Sequence, residues 1–185
     1  FMVLGKSAPT AAVMDINSNT SVQQVDVQKL HHELAINPVS NGSLPEILVD
    51  KSDEANTSIK GQWKTVGGGY GINQLLDDQP GVLKSIRYTP TIPRAGAYNI
   101  YAYLAKNSNR TSQTGFVIYD GTNNKTFILK TSSIKELGLS SGEWVKIGTY
   151  NLRKGRDSYV EISNKNVDGV VTADAIIWDP VNKNK

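Results

Sequence analysis

Ala97-Tyr98-Asn99-Ile100-Tyr101-Ala102-Tyr103-Leu104 alternates, with Tyr98, Ile100, Ala102 and Leu104 set against Asn99, Tyr101 and Tyr103. Period two makes this a β-strand with one inward face and one partly aromatic outer face. Working outward, the same period marks Glu46–Asp50, Ile59–Thr65, Val82–Thr89, Thr114–Tyr119, Lys125–Lys130, Trp144–Leu152, Tyr159–Ser163 and Val170–Trp178 as strands. Asp120-Gly121-Thr122-Asn123-Asn124 carries hairpin chemistry, and Arg153-Lys154-Gly155-Arg156-Asp157 reads as a second hairpin. One helical turn is expected within 132–139. Many short strands with no crossover helices between them give an antiparallel sandwich or barrel, with residues 46–179 in two packed sheets.

Upstream the pattern changes. Residues 1–38 read as helical: Ser7 to Ile16 is Ala-rich, with Pro9 tolerable in a first turn. A second helix starts on Asp26 as N-cap and runs from Val27 to Leu34, with Val27, Leu30 and Leu34 on one face. Pro, Gly, Asn and Ser mark residues 39–45 as a linker. The sandwich domain is therefore 46–181, with 182–185 a fraying tail. The opening Phe1-Met2-Val3-Leu4-Gly5 reads like the middle of a domain, so the chain is expected to be a fragment, with any export signal upstream.

Composition removes several functions. With no cysteine among 185 residues, disulfides, thiolate metal sites and thiol nucleophiles are excluded. Net charge is only +3, and Lys and Arg are scattered without aromatic interleaving, so nucleic acid is not an expected partner. No apolar run reaches the length that would insert in a membrane. The two histidines, His31 and His32, are adjacent on a helix and point about 100° apart, which prevents chelation of one metal. Ser-His-Asp and zinc chemistry are therefore excluded from the sandwich, and no catalytic residue is assigned.

Three kinds of residue remain. Asp50 with Asp53 and Glu54, or Asp77 with Asp78, are possible carboxylate pairs; turn capping explains the first group, in which Asp50 and Asp53 are also the candidates for a structural Ca²⁺. Asp174 sits in the apolar run 170–178, opposite Ala173, Ala175 and Ile177 if alternation holds. There a structural role is expected, such as accepting backbone N–H groups from a neighbouring loop. Sugars present C–H faces to rings and hydroxyls to planar polar forks, so the ligand candidates are Tyr70, Arg110, Asn109 and Trp63. Trp63 and Trp144 lie at or in strands, where packing competes with binding. Tyr70 is embedded in Gly67-Gly68-Gly69-Tyr70-Gly71, a backbone able to approach a ligand closely.

Several of these segments also resemble a known family. Ile47-Leu48-Val49-Asp50, Gly61-Gln62-Trp63 and Gly67–Gly71 resemble the opening of the golvesin C-terminal-like domain. Pro93-Arg94-Ala95-Gly96-Ala97-Tyr98 is similar to its proline, glycine, aromatic, strand signature, and Gly142-Glu143-Trp144 to its tryptophan segment. Asp168 to Trp178, with its Ala173-Asp174-Ala175 triplet, resembles the family's end. The resemblance implies a jelly-roll-like β-sandwich, and Gly96, Trp144 and Asp174 are expected to be structural in it. It also implies a non-catalytic, carbohydrate-binding, extracytoplasmic module of a larger bacterial protein, such as those labelled xanthan lyases. A docking domain that only packs against its parent catalytic domain is the alternative. Gly5 to Ala12 and Val22 to Leu30 resemble the C-terminal end of FAD-dependent oxidoreductases. Pro9 stands where that pattern has glycine, and no G-x-G-x-x-G follows a strand, so no FAD is expected to bind.

Overall fold

In the computed structural model, which describes residues 10–14, 16, 26–30, 44–77, 79, 81–105, 110–134 and 142–181, the period-two segments become strands. They are β1 (Ile47–Asp50), β2 (Thr57–Lys60), β3 (Lys64–Gly67), β4 (Asn73–Leu76), β5 (Ser85–Tyr88), β6 (Gly96–Ala105), β7 (Gln113–Tyr119), β8 (Asn124–Lys130), β9 (Gly142–Leu152), β10 (Tyr159–Ser163), β11 (Thr172–Ala173) and β12 (Ala175–Pro180). One sheet has the order β1-β12-β6-β9, a second β2-β5-β10-β7-β8, and a small third sheet β11-β4-β3. All the strand pairs are antiparallel.

The two large sheets bury their facing sides in one core. Tyr98, Ile100, Ala102, Leu104, Ile176 and Trp178 come from the first sheet, and Ile86, Tyr88, Phe116, Ile118, Val160 and Ile162 from the second. The alternation in 97–104 thus holds, and residues 46–181 form an all-β, antiparallel β-sandwich. The Asp120 turn is the hairpin expected: Asp120 Oδ1 accepts the N–H groups of Thr122 and Asn123, both at 2.9 Å, between the paired β7 and β8.

Four expectations are corrected. The 59–65 run is two strands, β2 pairing with β5 and β3 with β4, the chain turning at 61–63 between them. The 170–178 run breaks at Asp174 into β11 and β12, and Ala173, Asp174 and Ala175 are all buried, so alternation fails there. The 153–157 turn is not a hairpin but a crossing between sheets, since β9 lies in the first and β10 in the second. It is held by Arg156, whose Nη1 donates to Asn56 Oδ1 at 2.5 Å and Thr91 Oγ1 at 3.1 Å, and whose Nη2 donates to Ala55 O at 2.8 Å. Strand β4 is an addition to the expected set, since Asn73 and Gln74 are not residues that mark a strand. The helical turn is a 3-10 turn at Thr131–Ser133; residues 135–140 lie outside those described.

A bulge shapes β9. Ile100 pairs with Gly148 and Tyr101 with Lys146, so Ile147 is the extra residue, buried in the core. Gly148 takes φ +149°, and a Cβ there would lie 2.6 Å from the Tyr150 ring, whose hydroxyl donates to Ile147 O at 3.1 Å. Gly148→Ala is therefore expected to destabilise the domain by about 1–3 kcal/mol, read as a lower urea midpoint at unchanged slope.

The chain divides into two compact units, Phe1–Pro45 with Asn184–Lys185 and Glu46–Lys183. In the first, residues 10–14, 16 and 27–30 are helical. Asp26 caps the second stretch: its Oδ1 accepts from Gln28 N at 2.9 Å and Lys29 N at 3.1 Å. Residues 1–9 and 31–43, with His31 and His32, lie outside the described residues, as does most of the segment that resembles an oxidoreductase end.

Candidate functional site: an aromatic platform

Strands β3 and β4 form a hairpin, and the glycine-rich run is its turn, closed by Gly68 N–H donating to Ile72 O at 3.2 Å. Gly69 takes φ +108°, and a Cβ there would fall on the Asp174 carboxylate. This close approach lets Tyr70 N–H donate to Asp174 Oδ2 at 2.5 Å. The ring of Tyr70 is thereby laid against Tyr103 and Trp144, with centroids at 5.9 and 5.4 Å. Tyr103 and Trp144 are themselves cross-strand partners on β6 and β9, 5.2 Å apart at 71°. All three contacts are edge to face, the geometry that ring quadrupoles favour. Tyr70 remains 38% exposed, so the trio presents an accessible aromatic surface on the outer side of the first sheet.

Asp174 is 1% exposed and anchors this arrangement. Its Oδ1 pairs with Lys51 Nζ at 3.1 Å, and its carbonyl accepts Lys51 N–H and the Tyr88 hydroxyl, both at 3.0 Å. Burial pushes the Asp174 carboxyl up, with the Asp50 charge adding to it, against the Tyr70 N–H and Lys51, which favour the anion. Burial and the nearby Asp174 and Asp50 charges raise the Tyr88 hydroxyl well above its ordinary value, keeping it a donor.

Arg110 lies elsewhere. It lines a cavity of about 900 Å³ with Asp77, Ser112, Asn164, Lys165 and Asp168 among its walls, and neither Tyr70 nor Trp63 takes part. Two carboxylates hold the loops around it. Asp168 Oδ1 accepts Thr111 Oγ1 at 2.6 Å and Ser112 N at 2.7 Å, and these hydrogen bonds, Thr111 foremost, hold its carboxyl far below the usual range. Asp77 pairs with the fully buried Lys84 at 2.7 Å and accepts Asn164 Nδ2 at 2.8 Å. Burial acts to raise Asp77, but hydrogen bonds from Lys84 and Asn164 outweigh it and leave the carboxyl lowered.

The remaining candidates disperse. Trp63 is half-buried against the core, its Nε1 donating to Lys60 O at 3.1 Å. Asn109 lies outside the described residues. Asp50 Oδ1 accepts Ser52 N and Oγ and so caps a turn, and Asp53 Oδ2 accepts Asn56 Nδ2 at 2.7 Å, a side-chain bridge across the turn Asp53–Asn56. The cation beside Asp50 and Asp174 is the Lys51 ammonium, and among the described residues no three His, Asp or Glu come together as a metal site. Gly96 opens β6 opposite Leu152, and a Cβ there would meet nothing within 4 Å. Tyr103 was legible as an outward ring of β6; Lys51 and Lys84 were not, because nothing local marks a lysine for burial.

Residues 47–178 match the Golvesin C-terminal domain. The chain belongs to that family. A xanthan lyase of Bacillus sp. strain GL1 is 33% identical over 148 residues, which make up 75% of this chain and 15% of that protein. The golvesin-family sandwich superposes on a solved Paenibacillus xanthan lyase with a TM-score of 0.64 at 24% identity, over 74% of this chain and 13% of that one. It also superposes on a family 35 carbohydrate binding module from Clostridium thermocellum, with a TM-score of 0.54 at 14% identity, over 75% of this chain and all of that one. The family 35 module of Cellvibrio japonicus Abf62 matches with a TM-score of 0.53 at 15% identity, over 75% of this chain and 95% of that one. These structures share its fold. Among the described residues no helix is long and apolar enough to cross a membrane.

Proposed function

We propose that the sandwich is a non-catalytic carbohydrate-binding accessory module of a larger exported bacterial enzyme, and that Tyr70, with Tyr103 and Trp144, forms its sugar-stacking surface. The observation that carries this reading is the Tyr70 ring, held over two further rings by a backbone hydrogen bond to a buried carboxylate and still open to solvent. A pre-positioned ring gives a sugar C–H face a partner with little ordering left to do on binding. The family and the fold shared with carbohydrate binding modules support it. The described residues of the sandwich also hold neither histidine nor cysteine as a nucleophile or its base. The name of its relative makes xanthan the first polysaccharide to try.

Affinity electrophoresis in gels containing xanthan, with other soluble polysaccharides alongside, tests the reading. Tyr70→Ala is expected to lose about ten- to a hundredfold in affinity, as removal of a stacking hot spot does. Its melting temperature should fall only slightly, since the ring is a third exposed. Arg110→Ala, in the separate cavity, is expected to keep its affinity. A loss confined to Arg110→Ala would move the site into the cavity. If Tyr70→Ala binds as wild type but melts several degrees lower, the loop is structural and the reading fails.

A further inference from the structure

The outer side of the first sheet continues beyond the aromatic trio, and its register arranges the side chains in rows across the strands. Tyr103 pairs with Trp144. Two residues along β6, Tyr101 pairs with Lys146 on one side and Ile177 on the other. Two further along, Asn99 pairs with Thr149 and with Asp179. Directly paired residues point to the same side, so these rows share the face that carries the trio. The β9 bulge makes this possible. With Ile147 as the extra, inward residue, Lys146 and Thr149 both point outward although they are three apart, whereas an unbroken strand would put them on opposite faces.

We infer that this face is an extended binding surface for an internal stretch of polysaccharide, running along β6 from the trio to Asn99. The inference rests on the glycan-binding reading and specifies its ligand class as a chain rather than a single terminal sugar. From residue 103 to residue 99 the rows span about 13 Å, longer than one pyranose ring. Their chemistry changes along the way as an oligosaccharide requires. Rings lie at one end, a tyrosine beside an exposed lysine in the middle, and an amide, a hydroxyl and a carboxylate at the other. The polar end is already ordered, Thr149 Oγ1 donating to Asn99 Oδ1 at 2.8 Å and Asn99 Nδ2 to Asp179 Oδ2 at 3.3 Å. Such a preset fork meets sugar hydroxyls with little side-chain entropy left to lose. One lysine and one aspartate stand among these rows, each within reach of sugar hydroxyls.

Isothermal titration with polymeric xanthan and with its size-graded fragments tests this. Wild type is expected to gain affinity with fragment length until the fragment spans the three rows. Tyr101→Ala and Thr149→Ala should lower affinity for long fragments at least fivefold and leave the shortest fragment unchanged, while Tyr70→Ala weakens all lengths. Thr149 is exposed, so its variant reports on binding even if Tyr101→Ala folds poorly. Length-independent binding, with Thr149→Ala equal to wild type and Tyr70→Ala impaired, overturns the extended surface and leaves the platform standing. Wild type that binds neither xanthan, nor any of the other soluble polysaccharides, nor their fragments overturns both.

Discussion

Asp174→Ala is expected to cost the sandwich about 3–5 kcal/mol, because it breaks a buried ion pair from one side. Lys51, only 8% exposed, would keep its ammonium with Asp50 at 3.4 Å as the remaining anion, and Tyr70 N–H would lose its acceptor. A melting temperature lower by more than about 10 °C should follow. The double variant with Lys51→Met should recover part of the loss, since it removes the stranded charge as well, and the cycle gives the coupling directly. A loss under about 1 kcal/mol would mean that the pair behaves like an exposed one and does not anchor the Tyr70 turn.

A loss of similar size, about 3–5 kcal/mol, is expected for Asp77→Ala, which strands the fully buried Lys84 ammonium and leaves Asn164 Nδ2 and Gln79 N–H without their shared acceptor. The near-isosteric Asp77→Asn separates charge from shape through pH. The Asp77 carboxyl is lowered in the folded protein, so its contribution is complete above the ordinary value of 3.8 and is lost as pH falls through the folded value. Asp168, also lowered, acts in the same direction. Asp174, raised by burial, acts in the opposite one: its contribution is present at low pH and is lost as pH rises through its folded value. Acid titration of stability should therefore show a shallower loss below about pH 4 in Asp77→Asn than in wild type. Identical acid slopes in the two proteins would rule out the assigned role of Asp77.

Residues 98, 100, 102 and 104 take one face because side chains alternate along a strand whatever its neighbours are. Asp120 makes its turn from its own carboxylate and the next two amides, and Asp26 caps its helical stretch in the same way. The glycine-rich run was legible as a place of close approach, although not as the turn of a hairpin, because Asn73 and Gln74 hid the second strand.

Partnership was another matter. The residues of 153–157 make a turn wherever they occur, and only the global register sends β9 to one sheet and β10 to the other. Lys51 and Asp174 are 123 residues apart, and Tyr70 and Asp174 are 104 apart. No periodicity couples positions so distant, since their meeting follows from β1 and β12 pairing while the β3–β4 turn folds over the break before β12. By itself, then, the sequence determined strand faces, turns and an inventory without thiol or sandwich histidine. The tertiary structure alone decided which rings form the platform and which charges are buried beneath it, because alternation specifies the side a residue faces and never the residue it will meet.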